Sequence, residues 1–154
     1  MLGYTLIELI ITVTLLMGLL LSAEPIQRQF IVRNHVVIIE DKLQHALHYA
    51  RNKALNEHRT LALAPLHDWS SGMVLFVDNN AHKPRKNDNI LQQWQFKPAL
   101  VQVQWKGFRS DAYILFSPKL ANSTASGSFY LSTEGITKKR LIVNRLGHIR
   151  SEDV

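Results

Sequence analysis

The sequence predicts an α+β protein: a long N-terminal helix packed on an antiparallel β-sheet or sandwich. Three observations carry this. Residues 4–23 hold one charged side chain, Glu8, in an otherwise apolar or hydroxyl-bearing run. Beyond Pro25, Val32, Val36, Ile39, Leu43, Leu47, Ala50 and Ala54 recur at spacings of three and four, one apolar helical stripe. After residue 57 the hydrophobic period shifts towards two, in short runs separated by turn residues.

The N-terminal run comes first in the chain. Twenty residues at ~1.5 Å each make a helix of ~30 Å, about the thickness of a bilayer hydrocarbon core. Residues 4–25 are therefore read as a transmembrane or filament-core helix. A carboxylate at the bilayer centre costs roughly 2.5–3.5 kcal/mol on insertion scales, less near an interface, so Glu8 calls for a compensating partner. Residues 26–57 form the amphipathic continuation, with Arg33, Glu40, Asp41, Lys42, His45, His48 and Arg51 around the rest of the helix. One helix over residues 4–57 would be ~80 Å long, against ~30 Å for a domain built from the remaining residues. A protruding helix on a small head is the expected shape.

The head, residues 58–154, reads as strands at 59–64, 72–78, 90–97, 100–107, 112–117, 127–133, 139–144 and 147–150. Loops are expected at 65–71, which holds Trp69, and at 79–89, which is dense in Asn, Pro and charge. Val101, Val103 and Trp105 alternate onto one strand face. No repeat, low-complexity tract or flexible linker interrupts the chain.

Composition narrows the functional classes. After the membrane segment, 154 residues leave one small domain. There is no cysteine, which removes disulfides and thiolate metal sites and leaves the compartment open. A net charge of +6 and a sequence pI near 9.8 favour anionic partners such as nucleic acid or acidic lipid. No P-loop, dinucleotide fingerprint or G-x-S-x-G elbow is present, and Ser117, Ser128, His148 and Asp111 have no local pattern that would make them a triad. No catalytic residues and no cofactor are expected. Asp41, His45 and His48, at i, i+4 and i+7, have the spacing of a Zn²⁺ or Ni²⁺ site. They occupy the polar face of an amphipathic helix and HExxH is absent, so no metal is expected.

The N-terminal residues Gly3-Tyr4-Thr5-Leu6-Ile7-Glu8-Leu9 resemble the processing and assembly motif of type IV pilins and pseudopilins. The resemblance implies a type IV pilin-like fold and cleavage by a prepilin peptidase between Gly3 and Tyr4, with methylation of the new N-terminal Tyr4. It also implies that Glu8 meets the N-terminal amine of a neighbouring subunit during assembly. A buried ammonium and a buried carboxylate are each costly alone and tolerable as a pair. Pro25 matches a helix-bending proline of pilin helices. A pilin leader carries Lys or Arg before the glycine and Met-Leu-Gly has neither, so residues 1–3 read as a truncated leader, with a basic stretch expected in a longer precursor.

The head is similar to the GspH/FimT group of minor pseudopilins over nearly its whole length. Ala50-Arg51-Asn52-Lys53-Ala54, Trp69-Ser-Ser-Gly-Met-Val-Leu-Phe-Val-Asp78, Phe116-Ser117-Pro118 and Gly127-Ser128-Phe129 carry the similarity. So does Arg140-Leu-Ile-Val-Asn-Arg-Leu-Gly-His-Ile-Arg150. Such proteins are low-abundance, single-pass subunits of the bacterial inner membrane with a periplasmic head, incorporated into a pilus or pseudopilus with other pilins.

The functional signal concentrates at the C-terminus. Lys138, Lys139, Arg140, Arg145 and Arg150 place five cations within thirteen residues, with no acid before Glu152. In DNA-binding FimT-group members a basic Gly-Arg-x-Arg end contacts DNA during natural transformation. Here it corresponds to Gly147-His148-Ile149-Arg150, with histidine in place of the first arginine. Histidine is a weaker cation than arginine at pH 7. The loop cations Lys83, Arg85 and Lys86 are candidates to extend the patch. The bland alternative is a charged edge strand that discourages aggregation. Two functions follow: a minor pilin that binds double-stranded DNA during uptake, or a structural H-type pseudopilin of a type II secretion system that binds none.

Overall fold

The structure is a computed structural model that describes residues 5–79, 82–84, 89–96, 101–133 and 136–154; the side chains described exclude those of 20–33, 136 and 137. The chain divides into two units, Met1–Asn34 and His35–Val154. One helix, α1 (Leu6–Glu57), contributes to both, and its backbone stays helical through Pro25.

In the first unit the helix starts on a capping arrangement. Thr5 precedes the first helical residue, and its N–H donates to Glu8 Oε2 at 3.4 Å while Glu8 N–H donates back to Thr5 O at 3.1 Å. Thr-x-x-Glu is the spacing of a capping box. The described apolar side chains here, among them Leu6, Ile7, Leu9, Ile10 and Leu16, are all exposed. Among the described residues no helix is long and apolar enough to cross a membrane; the run read as the span, residues 4–25, lies partly outside them.

In the second unit α1 supplies Val36, Ile39, Leu43, Ala46, Leu47, Ala50 and Ala54 to the core, all buried. That is the stripe read from the sequence with Ala46 added, and without Val32, whose side chain lies outside the described residues. Two four-stranded antiparallel sheets complete the unit. The first, in the order β3-β2-β1-β5, joins β1 (Leu61–Pro65), β2 (Gly72–Val77), β3 (Ile90–Gln95) and β5 (Ile114–Phe116). The second, in the order β4-β6-β7-β8, joins β4 (Gln102–Gly107), β6 (Gly127–Thr133), β7 (Ile136–Val143) and β8 (Ile149–Asp153). A 3-10 turn, Leu120–Asn122, links β5 to β6.

The second sheet keeps strict alternation. Val103 and Trp105 of β4, Phe129 and Leu131 of β6, and Leu141 and Val143 of β7 are buried, so their neighbours in sequence face outwards. Trp105 is the centre of this core. Its ring lies 4.5 Å from that of Phe129 and 6.4 Å from that of Trp69, and its Nε1–H donates to Ser110 O at 2.9 Å. Gly127 makes room for it: a Cβ there would meet Trp105 Cη2 at 2.4 Å.

Trp69, expected in a loop, is buried in that core from its loop, where its Nε1–H donates to Asp111 O at 3.0 Å. Asp68 fixes the loop: its Oδ1 accepts from Ser71 Oγ and Ser71 N, each at 2.6 Å. These bonds favour the carboxylate and hold the Asp68 pKa below its ordinary value. A lowered folded-state pKa gives stability that is complete above the ordinary carboxyl pKa and is lost as pH falls through the folded value. Acid titration followed by Trp fluorescence is expected to show this loss in the wild type. Asp68→Ala should remove that part of the acid dependence; an identical acid profile would show the Asp68 bonds to be immaterial.

Most strand boundaries differ from the sequence reading by one to three residues, and two of the shifts bear on the C-terminal hairpin. β7 begins at Ile136 and not at 139, and β8 begins at Ile149 because Gly147 belongs to the turn before it. Gly147 has φ of +83°, a left-handed conformation that glycine adopts without cost.

Candidate functional site

The β7–β8 hairpin carries the C-terminal residues singled out in the sequence. Asn144 builds its turn. The Asn144 side-chain Oδ1 accepts from Leu146 N–H at 2.9 Å and His148 N–H at 3.0 Å. Its backbone N–H donates to His148 O, and its own O accepts from Gly147 N–H. Gly147 is packed tightly: a Cβ there would lie 3.3 Å from Phe116 Cε1 and 3.6 Å from Leu47 O. The turn therefore has a fixed shape, with Arg145 and His148 exposed on it. The His148 ring meets His48 of α1 edge-on at 5.5 Å.

Strand parity separates the remaining cations. Arg140 stands opposite Tyr130 of β6 and Glu152 of β8, on the face away from the core. Its guanidinium lies 5.7 Å from the Tyr130 ring centroid, and Arg140 Nε–H donates to Ser128 Oγ at 3.3 Å. Lys106 of β4 places its ammonium 5.7 Å from the same ring. Tyr130 thus links two cations from strands on either side of it, by the attraction of a positive charge to an aromatic face. Arg150 is 80% exposed and pairs with Glu152 at 3.3 Å. Lys138 is exposed at a β-bulge, where β7 carries one residue more than β6.

Lys139 goes the other way. It shares the face of buried Leu141 and Val143, and its Nζ is bonded to Glu40 Oε2 on α1. It ties the sheet to the helix and is set apart from the other four cations.

The outward face thus presents Lys106 and Arg140 beside Tyr130 and Arg150 on the edge strand β8, with Lys138 and Arg145 towards the two ends of β7. At ~4.8 Å between strands and ~3.3 Å along them, the array is about 14 Å by 23 Å. Lys106, Tyr130 and Glu152 were not singled out from the sequence; the alternation of Gln102, Gln104 and Lys106 against Val103 and Trp105 was the available signal. Of the loop cations, Lys83 is exposed, and Arg85 and Lys86 lie outside the described residues. Gly3 and Tyr4 also lie outside them. Glu8 is exposed. Among the described residues no group of three or more metal-capable side chains is placed to hold an ion, and Asp41, His45 and His48 form no such cluster.

The model of one protein family, type II transport protein GspH, matches residues 41–147, more than half of the chain. The chain belongs to the GspH family. The match runs from within α1 to Gly147 in the hairpin turn, so it takes in the first sheet and β4, β6 and β7 of the second, and stops short of β8. The fold is similar to that of the Pseudomonas aeruginosa (strain PAO1) type IV minor pilin FimU in two crystal forms. One matches with a TM-score of 0.61 and 19% identity over 78% of this chain and 90% of that one. The other gives 0.54 and 18% over 74% and 90%. No curated protein sequence matches the chain. The α+β architecture expected from the sequence, a helix on antiparallel sheets, is thus that of a type IV pilin. As a GspH/FimT-like minor pilin or pseudopilin, the protein is of a kind that assembles with other pilins and serves as a structural subunit.

Proposed function

We propose that this protein is a minor pilin of a type IV pilus machine whose outward sheet face holds duplex DNA during uptake. The observation that carries the reading is the pair Lys106 and Arg140 at Tyr130 with Arg150 on the same face of the edge strand β8, in a GspH-family head. Phosphate contacts require clustered Lys and Arg more than any particular fold. Arg140 is held at both ends of its guanidinium stem, by Tyr130 and Ser128, so little side-chain entropy remains to be lost on binding. Residues 4–25 anchor the subunit in the bacterial inner membrane, with the head in the periplasm. Prepilin peptidase cuts between Gly3 and Tyr4, and Tyr4 is methylated.

Glu8 has two partners in sequence of events. Before assembly it caps its own helix through Thr5 N–H; in the filament it accepts the amine of a neighbouring subunit, in a medium where an unpaired charge is costly. Glu8→Ala is expected to leave membrane insertion intact, since it removes a charge from an apolar run. It should cut incorporation into the filament, measured by pull-down with the major pilin. Glu8→Gln separates the two roles, because it keeps the capping bond and loses the charge. Normal incorporation of both variants would remove Glu8 from assembly.

A second reading is favoured by Glu152, which faces Arg140 and Arg150 and offsets part of their charge. On it the protein is a structural H-type pseudopilin of a type II secretion system and binds no DNA. The salt titration described in the Discussion separates the two.

A further inference from the structure

The two sheets have four edges, and three of them are partly covered or charged. On β4, Val103 N–H donates to Ser70 Oγ at 2.9 Å and Val103 O accepts from the same hydroxyl at 3.3 Å. On β5, Leu115 N–H donates to Thr124 Oγ1 and Leu115 O accepts from Thr124 N–H, both at 2.9 Å. The β8 edge is charged, with Arg150, Glu152 and Asp153, a usual protection against strand pairing. The fourth edge, β3 (Ile90–Gln95, ILQQWQ), has no charged residue and no proline.

The hydrogen-bond parity of β3 shows which groups it offers. Phe96 N–H donates to Ser71 O at 3.1 Å, so in this register Trp94 and Gln92 bond inwards to Met73 and Leu75. Gln93 and Gln95 must then point their backbone groups outwards. Only Gln95 O is occupied, by Lys42 Nζ at 3.2 Å. Among the described residues, Gln93 N–H, Gln93 O and Gln95 N–H have no partner.

Beside this edge runs one face of α1. Ile38, Lys42, His45 and Tyr49 follow at i, i+4, i+7 and i+11, all exposed. Tyr49 packs edge-on against Trp94 at 5.9 Å, and Lys42 also lies 5.9 Å from the Phe96 ring. An added strand would therefore lie with one face over Tyr49, Trp94 and Ile38, and with Lys42 and His45 as its charged neighbours. Asp41 flanks this row one turn before His45, so the charge an added strand meets at the edge itself is the Lys42 ammonium, held there by Gln95 O.

We propose that β3 is a docking edge, and that its occupant is an extended segment of a partner protein carrying apolar residues and an acidic residue. Backbone bonds to Gln93 and Gln95 give the pairing; the aromatic pair and Lys42 give the selectivity. The site is on the first sheet and is independent of any DNA contact on the second.

The test uses the full chain in detergent micelles and a capped octapeptide of alternating valine and threonine with one glutamate. A second peptide has lysine in place of the glutamate. Amide exchange at Gln93 and Gln95, read by NMR, should slow on the order of tenfold with the acidic peptide at millimolar concentration. The lysine peptide should bind roughly threefold more weakly, as expected for one exposed ion pair. Lys42→Glu should reverse that preference. Gln93→Pro removes an outward N–H without breaking the β2–β3 ladder, and should abolish protection at Gln95. No protection with either peptide, or equal affinity for both, overturns the proposal. So does protection that grows with protein concentration alone, which would make a second copy the occupant.

Discussion

Affinity for duplex DNA is expected to fall about 500-fold between 50 and 200 mM salt. Lys106, Lys138, Arg140, Arg145 and Arg150 supply five phosphate contacts on the proposed face, and five contacts on duplex imply a log–log slope of about -4.5. The full chain in non-ionic micelles, titrated with fluorescent duplexes of unrelated sequence, gives the slope directly. Arg145→Ala and Arg150→Ala should each remove about one unit of slope, with little change in stability, since both are exposed. Lys106→Ala should do the same, although it lies some thirty residues before the basic tail. Lys139→Ala should leave the slope unchanged, because that ammonium is bonded to Glu40 on the other face. Glu152→Gln should tighten binding by releasing Arg150, and His148→Arg by adding a cation to the turn. Binding that ignores salt, or an Arg145/Arg150 double variant that binds and supports transformation normally, would leave the structural pseudopilin as the function.

The largest expected loss of stability is at Trp105. Its ring is 1% exposed and lies between Phe129, Trp69 and the bare backbone of Gly127. Truncation to alanine removes the packing, leaves a cavity among rigid neighbours, and strips Ser110 O of its donor. About 3–5 kcal/mol is the expected cost, and thermal unfolding should shift by ten degrees or more. Gly127→Ala should also destabilise, by forcing the same ring aside. Urea or thermal unfolding that leaves Trp105→Ala within experimental error of wild type would show that the centre of the core lies elsewhere.

The helix and the sheet core were legible because they obey single periods. The stripe from Val36 to Ala54 needed only the spacing of three and four, and Val103 and Trp105 only alternation. The site was legible in its residue types and not in its geometry. Lys138, Lys139 and Arg140 are adjacent in sequence, yet a bulge at Lys138 and the alternation after it send Lys139 to the helix and Arg140 to Tyr130. Parity along a strand cannot be set until its register is known, and here the register depends on where β7 leaves the bulge. Lys106 and Tyr130 join Arg140 only through pairing across three strands, which is invisible to a reading along the chain. Trp69 lies in the loop over residues 65–71 that the sequence indicates; its burial comes from Phe129 and Trp105, more than thirty residues away. Glu8 shows the converse. Thr5-x-x-Glu8 is a local capping signal, yet the apolar run around it drew attention to membrane cost instead.

The Asn144 turn holds His148 by its backbone N–H and O alone, while the side chain is exposed. Position 148 can thus change its chemistry without disturbing the hairpin. A lineage carrying this head could gain or lose a cation at that point in one substitution, giving up only the edge-on contact with His48. On the proposed reading the same fold can in this way strengthen or weaken its hold on a polyanion, a freedom that Gly147, wedged beside Phe116, does not have.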